Sequence, residues 1–242
     1  MHKLAFIAVI GLTGSALCMG AAAAIGGREF AGGWGDGVDF FSDRPRCETI
    51  QGASATNRAL DWDGSDHFSL AVPGHASYTP GTDNKVHVSG DAQLLAHIIV
   101  RDGRLQLDCR NWHGDSDALT VTLPGQEFKK FSIAGSGNLI LSKLDQNSVS
   151  LHIAGSGSIE ADGKVEHADV HIAGSGDADL GQVKANVTTV HIAGSGNTDI
   201  APSDEADIHI AGSGDVNLHS NPKRLETHIA GSGRIHNIGT GG

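Results

Sequence analysis

The stretch that decides the fold is H-I-A-G-S-G. It occurs at His152–Gly157, His171–Gly176, His191–Gly196, His209–Gly214 and His228–Gly233, after a variant S-I-A-G-S-G at Ser132–Gly137. The central isoleucines, Ile133, Ile153, Ile172, Ile192, Ile210 and Ile229, are 20, 19, 20, 18 and 19 residues apart. Self-similarity at a period of this length marks a solenoid, in which each repeat buries its apolar face only by stacking on its neighbours. Around the hexapeptide the apolar residues alternate. Val149, Leu151 and Ile153 share one phase, and Ser150 and His152 share the other. Alternation is the strand period. The glycines that follow break each strand at a recurring corner.

About 19 residues at roughly 3.3 Å each make a contour near 60 Å, enough for a small two- or three-sided coil. Left-handed hexapeptide helices need a strict six-residue repeat, which is missing here. The expected fold is therefore all-β, a right-handed parallel β-helix with rungs of about 19 residues over 131–242.

Upstream, residues 60–130 alternate in short runs between Gly and Pro signals. Phe68, Leu70 and Val72 form one run, Leu105, Leu107 and Cys109 another, and Leu119, Val121 and Leu123 a third. These predict short half-buried strands serving as first rungs or as a cap. Residues 25–59 are glycine-rich and irregular and predict a flexible linker. Residues 1–24 read as a signal peptide. His2 and Lys3 precede an apolar run, and Ala21–Ala24 offers a cleavage site. The run is too short and too glycine-interrupted for a membrane span. Leu17 before Cys18 is not the small residue that lipidation requires.

Without Lys3 the basic residues number 17 − 1 = 16 against 28 acidic ones, giving a net charge of −12 with histidines neutral. Such a chain is not expected to favour nucleic acid or an anionic membrane. Export leads to the periplasm, the cell surface or the medium, where Cys47 and Cys109 are candidates for a disulfide.

The repeated x-I-x-G-S-G-[DN]-x-x-[LI] unit, with W-D-G-S-D-x-F-x-L and D-G-R-L-Q-L before it, resembles the bacterial family of putative auto-transporter adhesins, head GIN domain. The resemblance covers roughly Leu60 to Asn237. It implies a β-solenoid of the cell envelope and carries no catalytic residues with it. An auto-transporter also carries a membrane barrel, which this chain of 242 residues does not show.

The sequence offers residues for three chemistries. His152, His171, His191, His209 and His228 share one outward position, so stacking sets their imidazoles about 5 Å apart. With Ser150, Asp169, Thr189, Asp207 and Glu226 beside them, they are candidates for a Zn²⁺ or Cu²⁺ site or a pH switch. Set against this, ladders of identical side chains stabilise stacked strands without any ligand. Asp177, Asn197 and Asp215 after G-S-G suggest calcium, but the aspartate is misplaced relative to the glycine-rich nonapeptide motif. Catalysis by a carbohydrate-active β-helix needs a cleft built from inserted loops, and the short uniform rungs leave little room for one. No Phe, Tyr or Trp follows Phe131 to stack on a sugar. The reading is a non-catalytic exported binding, adhesin-like or scaffolding protein. A periplasmic metal- or pH-responsive binder is the alternative. The partner is an unidentified protein or surface ligand. Arg234, His236 and Asn237 are expected to cap the last rung and keep the protein a monomer.

Overall fold

The computed structural model describes residues 44–112 and 119–239. The expected signal peptide and the first part of the linker lie outside the described residues. The rest is a β-solenoid of about six turns. Its upper part consists of β8 (Lys130–Gly135), β9 (Asn138–Gly155), β10 (Ser158–Gly174), β11 (Asp177–Gly194), β12 (Thr198–Gly212), β13 (Asp215–Leu218), β14 (Arg224–Gly231) and β15 (Arg234–Asn237). Each of these pairs in parallel with the strand one rung away.

Alternation of burial along β9 fails at Ser142–Lys143, at Gln146–Ser148 and after Gly155. Three breaks per turn make three faces. Inward residues stack as columns, for example Ile133, Ile153, Ile172, Ile192 and Ile210, each at most 2 % exposed.

The uneven spacing of the repeats is absorbed at the corner that follows the first face, with some adjustment on the second. Register slips between Ala161 and Gly163 against β9, between Glu160 and Asp162 against β11, and from Leu180 through Val187 between β11 and β12. The third face, which carries the hexapeptide, keeps unbroken register from β8 to β14. The G-S-G corner explains why. Gly155, Gly174, Gly194, Gly212 and Gly231 all have positive φ, between +128° and +142°. The serine N–H of each corner donates to the glycine carbonyl one rung below, at 2.8–2.9 Å from Ser156 to Ser232. A corner stitched by backbone hydrogen bonds cannot slide without breaking them.

The N-terminal strands are β1 (Asn57–Asp61), β2 (His67–Leu70), β3 (His75–Tyr78), β4 (Lys85–Ser89), β5 (Ile98–Arg101), β6 (Arg104–Leu107) and β7 (Thr120–Thr122), with helix α1 (Ala92–Ala96) between β4 and β5. They supply both the first rungs and a cap. β2 lies between β6 and β8, and β3 lies between β7 and β9, all in parallel. After β1 the chain therefore lays down the second rung, returns to the base to complete the cap and form the lowest rung, and then climbs past both. At the base the pairing turns antiparallel, β5 on β6 and β4 on β7, with β1 on β4. Asp91 caps α1 by accepting from the N–H groups of Gln93 and Leu94, and Leu94 and Leu95 turn into the core. Trp62, Phe68, Tyr78, Phe128 and Phe131 fill this end with tilted and edge-to-face contacts, such as Trp62 on Phe128 at 5.4 Å.

The linker boundary expected near residue 60 moves toward the N-terminus. Residues 57–59 already belong to β1. Arg44 donates to the Leu107 carbonyl at 2.5 Å and to Gln106 Oε1 at 2.6 Å, which docks the segment before β1 on the body.

Candidate functional site: a histidine ladder

The third face presents three outward columns in register. Ser132 is followed by His152, His171, His191, His209 and His228. Two residues upstream run Lys130, Ser150, Asp169, Thr189, Asp207 and Glu226, and two residues downstream the alanines from Ala134 to Ala230. Small alanines on one side leave the rings room to lie flat on one another. Successive imidazole centroids are 4.6, 4.9, 4.8 and 4.8 Å apart, with ring planes 26°, 10°, 16° and 20° from parallel. The spacing is the rung spacing itself.

Stacking half-buries His152, His171, His191 and His209 as well as aligning them, while His228 on the last rung is exposed. Within the ladder His152 Nε2 and Ser150 Oγ are 2.9 Å apart, and His209 Nε2 lies 3.1 Å from Asp207 Oδ1. Nδ1 of His191 is buried without a hydrogen-bond partner. Burial, helped by the Lys130 charge and then by His171, pushes the His152 pKa down to about 3. Burial, with His171 and His209 adding to it and Asp207 and Asp169 opposing it, pushes His191 down to about 4. Both imidazoles are neutral at physiological pH.

The ladder is poorly shaped for Zn²⁺ or Cu²⁺. Near-parallel rings project their lone pairs side by side rather than toward a common point. At a zinc–nitrogen distance of about 2.0–2.1 Å, one ion spans at most about 4.2 Å between two nitrogens. Adjacent rungs hold the rings wider than that, so two histidines would have to leave the stack to share an ion.

A second ladder runs along the corner after G-S-G. Asp177 Oδ1 accepts from the Asn197 N–H at 2.9 Å, Asn197 Oδ1 from the Asp215 N–H at 3.1 Å, and Asp215 Oδ1 from the Arg234 N–H at 2.8 Å. These are the Asp and Asn positions that suggested calcium. Their oxygens instead bond the backbone of the next rung, which accounts for the [DN] in the repeat.

The family model described as putative auto-transporter adhesin, head GIN domain, matches residues 70–222. The chain belongs to this family. Among solved structures, a putative adhesin from Bacteroides fragilis is similar at 19 % identity with a TM-score of 0.59, covering 75 % of this chain and 96 % of that one. A putative adhesin from Parabacteroides distasonis is similar at 16 % identity with a TM-score of 0.50, covering 81 % and 100 %. At these identities the likeness shows the solenoid fold. No curated protein matches the sequence.

In this member of the head GIN domain family, the base carries a second cluster. Cys47 and Cys109 are bonded, with Cα atoms 4.8 Å apart. Beside them the buried His97 places Nδ1 2.9 Å from Asp108 Oδ1 and Nε2 2.9 Å from the Glu48 carbonyl. His97, Asp108 and Cys109 form the one group of three metal-competent side chains found among the described residues. The sulfur is committed to the disulfide and both ring nitrogens of His97 lie against oxygens, so the cluster reads as a clasp. It ties the segment at Glu48 to the hairpin β5–β6. Sequence reading missed His97, because a single histidine between apolar residues carries no pattern.

The disulfide closes a loop of separation 62. On the chain-entropy model, replacing both cysteines with serine is expected to lower stability by about 4 kcal/mol. Urea unfolding of the double variant would show this, and an unchanged midpoint would contradict it.

Proposed function

We propose that the protein is an exported, non-catalytic binding module of the cell envelope, adhesin-like in role, and that the ladder face is its recognition surface. The observation that carries the proposal is the unbroken register of that face. Five imidazoles and the flanking alanines repeat every 4.6–4.9 Å, while irregularities in repeat length are displaced to other faces. Membership of an adhesin family supports the reading. Among the described residues, a groove of about 250 Å³ beside Arg58 and His87 on the cap is lined by no carboxylate, so it lacks the acid–base pair that glycoside chemistry needs. No helix among the described residues is long and apolar enough to cross a membrane.

Two measurements test the proposal. Antibody against the folded body is expected to label intact cells, and labelling only after permeabilisation would contradict surface display. Beads coated with the protein are expected to adhere to mucin- or matrix-coated surfaces. Converting His171, His191 and His209 to glutamate is expected to abolish adhesion, and the same change at Lys164, Lys184 and Asn186, exposed outside the ladder face, to leave it intact. Equal loss from both sets would show that the ladder face is not the recognition surface.

A second reading is favoured by the depressed pKa values of His152 and His191. In it the same face responds to acid, because charging neutral stacked rings sets like charges side by side. The ring geometry favours proton over metal sensing. Calorimetric titration with zinc or copper at micromolar concentration is expected to give no heat.

A further inference from the structure

The two ends of the solenoid are not alike. The base is closed by antiparallel strands, by α1 and by the aromatic cluster. Among the described residues the far end is open. All eight residues of β14 are exposed. Leu225 and Ile229 are each 45 % exposed, although the equivalent positions one rung below, Ala206 and Ile210, are at most 1 % exposed. Arg234, His236 and Asn237, expected from sequence to act as a cap, bond back along their own strand and its neighbours. The Arg234 N–H donates to Asp215, and Asn237 Nδ2 donates to Asn221 Oδ1 at 2.8 Å. They leave Leu225 and Ile229 uncovered. An open edge strand over an exposed apolar cross-section is a template for another strand.

We propose that this terminal rung is a self-association surface, and that its occupant is the same rung of a second copy, joined tail to tail about a two-fold axis at Thr227. Two features select that occupant. A head-to-tail polymer would need an open base, and the base is covered, so growth stops at two. The rung is also self-complementary in antiparallel register. With Thr227 on the axis, inward Leu225 faces the partner's Ile229, closing both cores. Outward Glu226 faces the partner's His228, setting a carboxylate opposite an imidazole, a pairing favoured across strands. Arg224 faces the partner's Ala230, so no two like charges meet. The interface is one solenoid cross-section and falls below the standard size, which makes the dimer weak and concentration-dependent. This goes beyond the adhesive reading and does not rest on it. If it holds, the histidine ladders of both copies join one rod.

Sedimentation velocity on the full chain, from about 1 to about 200 µM, is expected to show a monomer–dimer equilibrium. Monomer throughout, or species larger than dimer, would overturn the proposal. Ile229→Glu is expected to weaken dimerisation at least about tenfold. Thr227→Cys gives an independent reading. On the axis its two copies fall within the 4.4–6.8 Å Cα separation typical of disulfides. In a Cys18→Ser background, mild oxidation is expected to yield a covalent dimer. Arg224→Cys, whose copies would lie about 20 Å apart, is expected to yield none. Absence of the Thr227→Cys dimer, or equal cross-linking at both positions, would overturn the proposed register.

Discussion

Gly194→Ala is expected to cost about 2–6 kcal/mol, a large part of the stability of an ordinary domain. Two separable causes act at this glycine. Its φ of +138° is a conformation that L residues rarely adopt, and holding alanine there costs about 1–3 kcal/mol. An added Cβ would also run into the carbonyl oxygen of Gly174 one rung below, and forcing extra volume into packed structure costs about 1–3 kcal/mol more. Other glycines isolate each cause. Gly135 has φ +122° but nothing within 4 Å of an added Cβ, so Gly135→Ala should show the conformational cost alone. Gly196 lacks positive φ, but its Cβ would meet the Gly176 carbonyl and lie 2.7 Å from Ile172 Cγ2, so Gly196→Ala should show the steric cost alone. Urea midpoints for the three variants should order with Gly194→Ala lowest. Equal losses at Gly135 and Gly194 would mean that the rungs are not in contact at this corner.

Acid is expected to destabilise the protein before its carboxylates titrate. His152 and His191 have folded pKa values of about 3 and about 4, below the ordinary 6.5. The unfolded chain therefore binds more protons below pH 6.5, and stability rises with pH across the window between these values. The contribution is fully present above pH 6.5. It is lost progressively as pH falls toward about 4 for His191 and about 3 for His152. Each pK unit is worth about 1.4 kcal/mol. After discounting for the partial exposure of the rings, the two together should remove on the order of 4 kcal/mol by pH 4. Paired carboxylates act lower. Asp66 sits below its ordinary value through its bond to Lys129, and Asp83 through the Lys85 N–H, so both titrate well below the pH at which the buried histidines begin to cost stability. Replacing His152 and His191 with asparagine should flatten stability between pH 6.5 and 4.5 while leaving the steeper loss at lower pH. A wild-type urea midpoint that does not change over that window would contradict the burial of the ladder.

The solenoid could be read from the sequence because each rung repeats the same physical demands. Inward isoleucine, a glycine with positive φ and a second glycine without room for Cβ recur together, and the outward histidine is fixed by alternation from Ile153 or Ile192. The first two rungs were harder to read. His67–Tyr78 pairs with Lys130–Leu141 residue for residue over most of its length, with Phe68 on Phe131 and Leu70 on Ile133. Ala71-Val72-Pro73-Gly74 stands where later rungs have A-G-S-G, so the hexapeptide signal is absent. The lowest rung is split between β6 and β7, and its place beneath an earlier segment leaves no local mark. Periodicity reports neighbours in sequence order, and here spatial order departs from it. The site divided in the same way. The histidine column followed from alternation and period. The flatness of its face, supplied by the alanine column, and the displacement of repeat-length irregularities to other faces emerge only from pairing register.

Isoleucine methyl NOE spectroscopy tests the stacking most directly. Rungs in register require contacts between the methyls of Ile153 and Ile172, of Ile172 and Ile192, and of Ile192 and Ile210, which are neighbours across parallel pairs. Pairs two rungs apart, such as Ile153 and Ile192, should give far weaker signals, being separated by about 9.6 Å. Observing that chain of contacts is the predicted result. Its absence, or contacts linking each isoleucine to a different part of the repeat in the next turn, would contradict the register on which the histidine ladder depends.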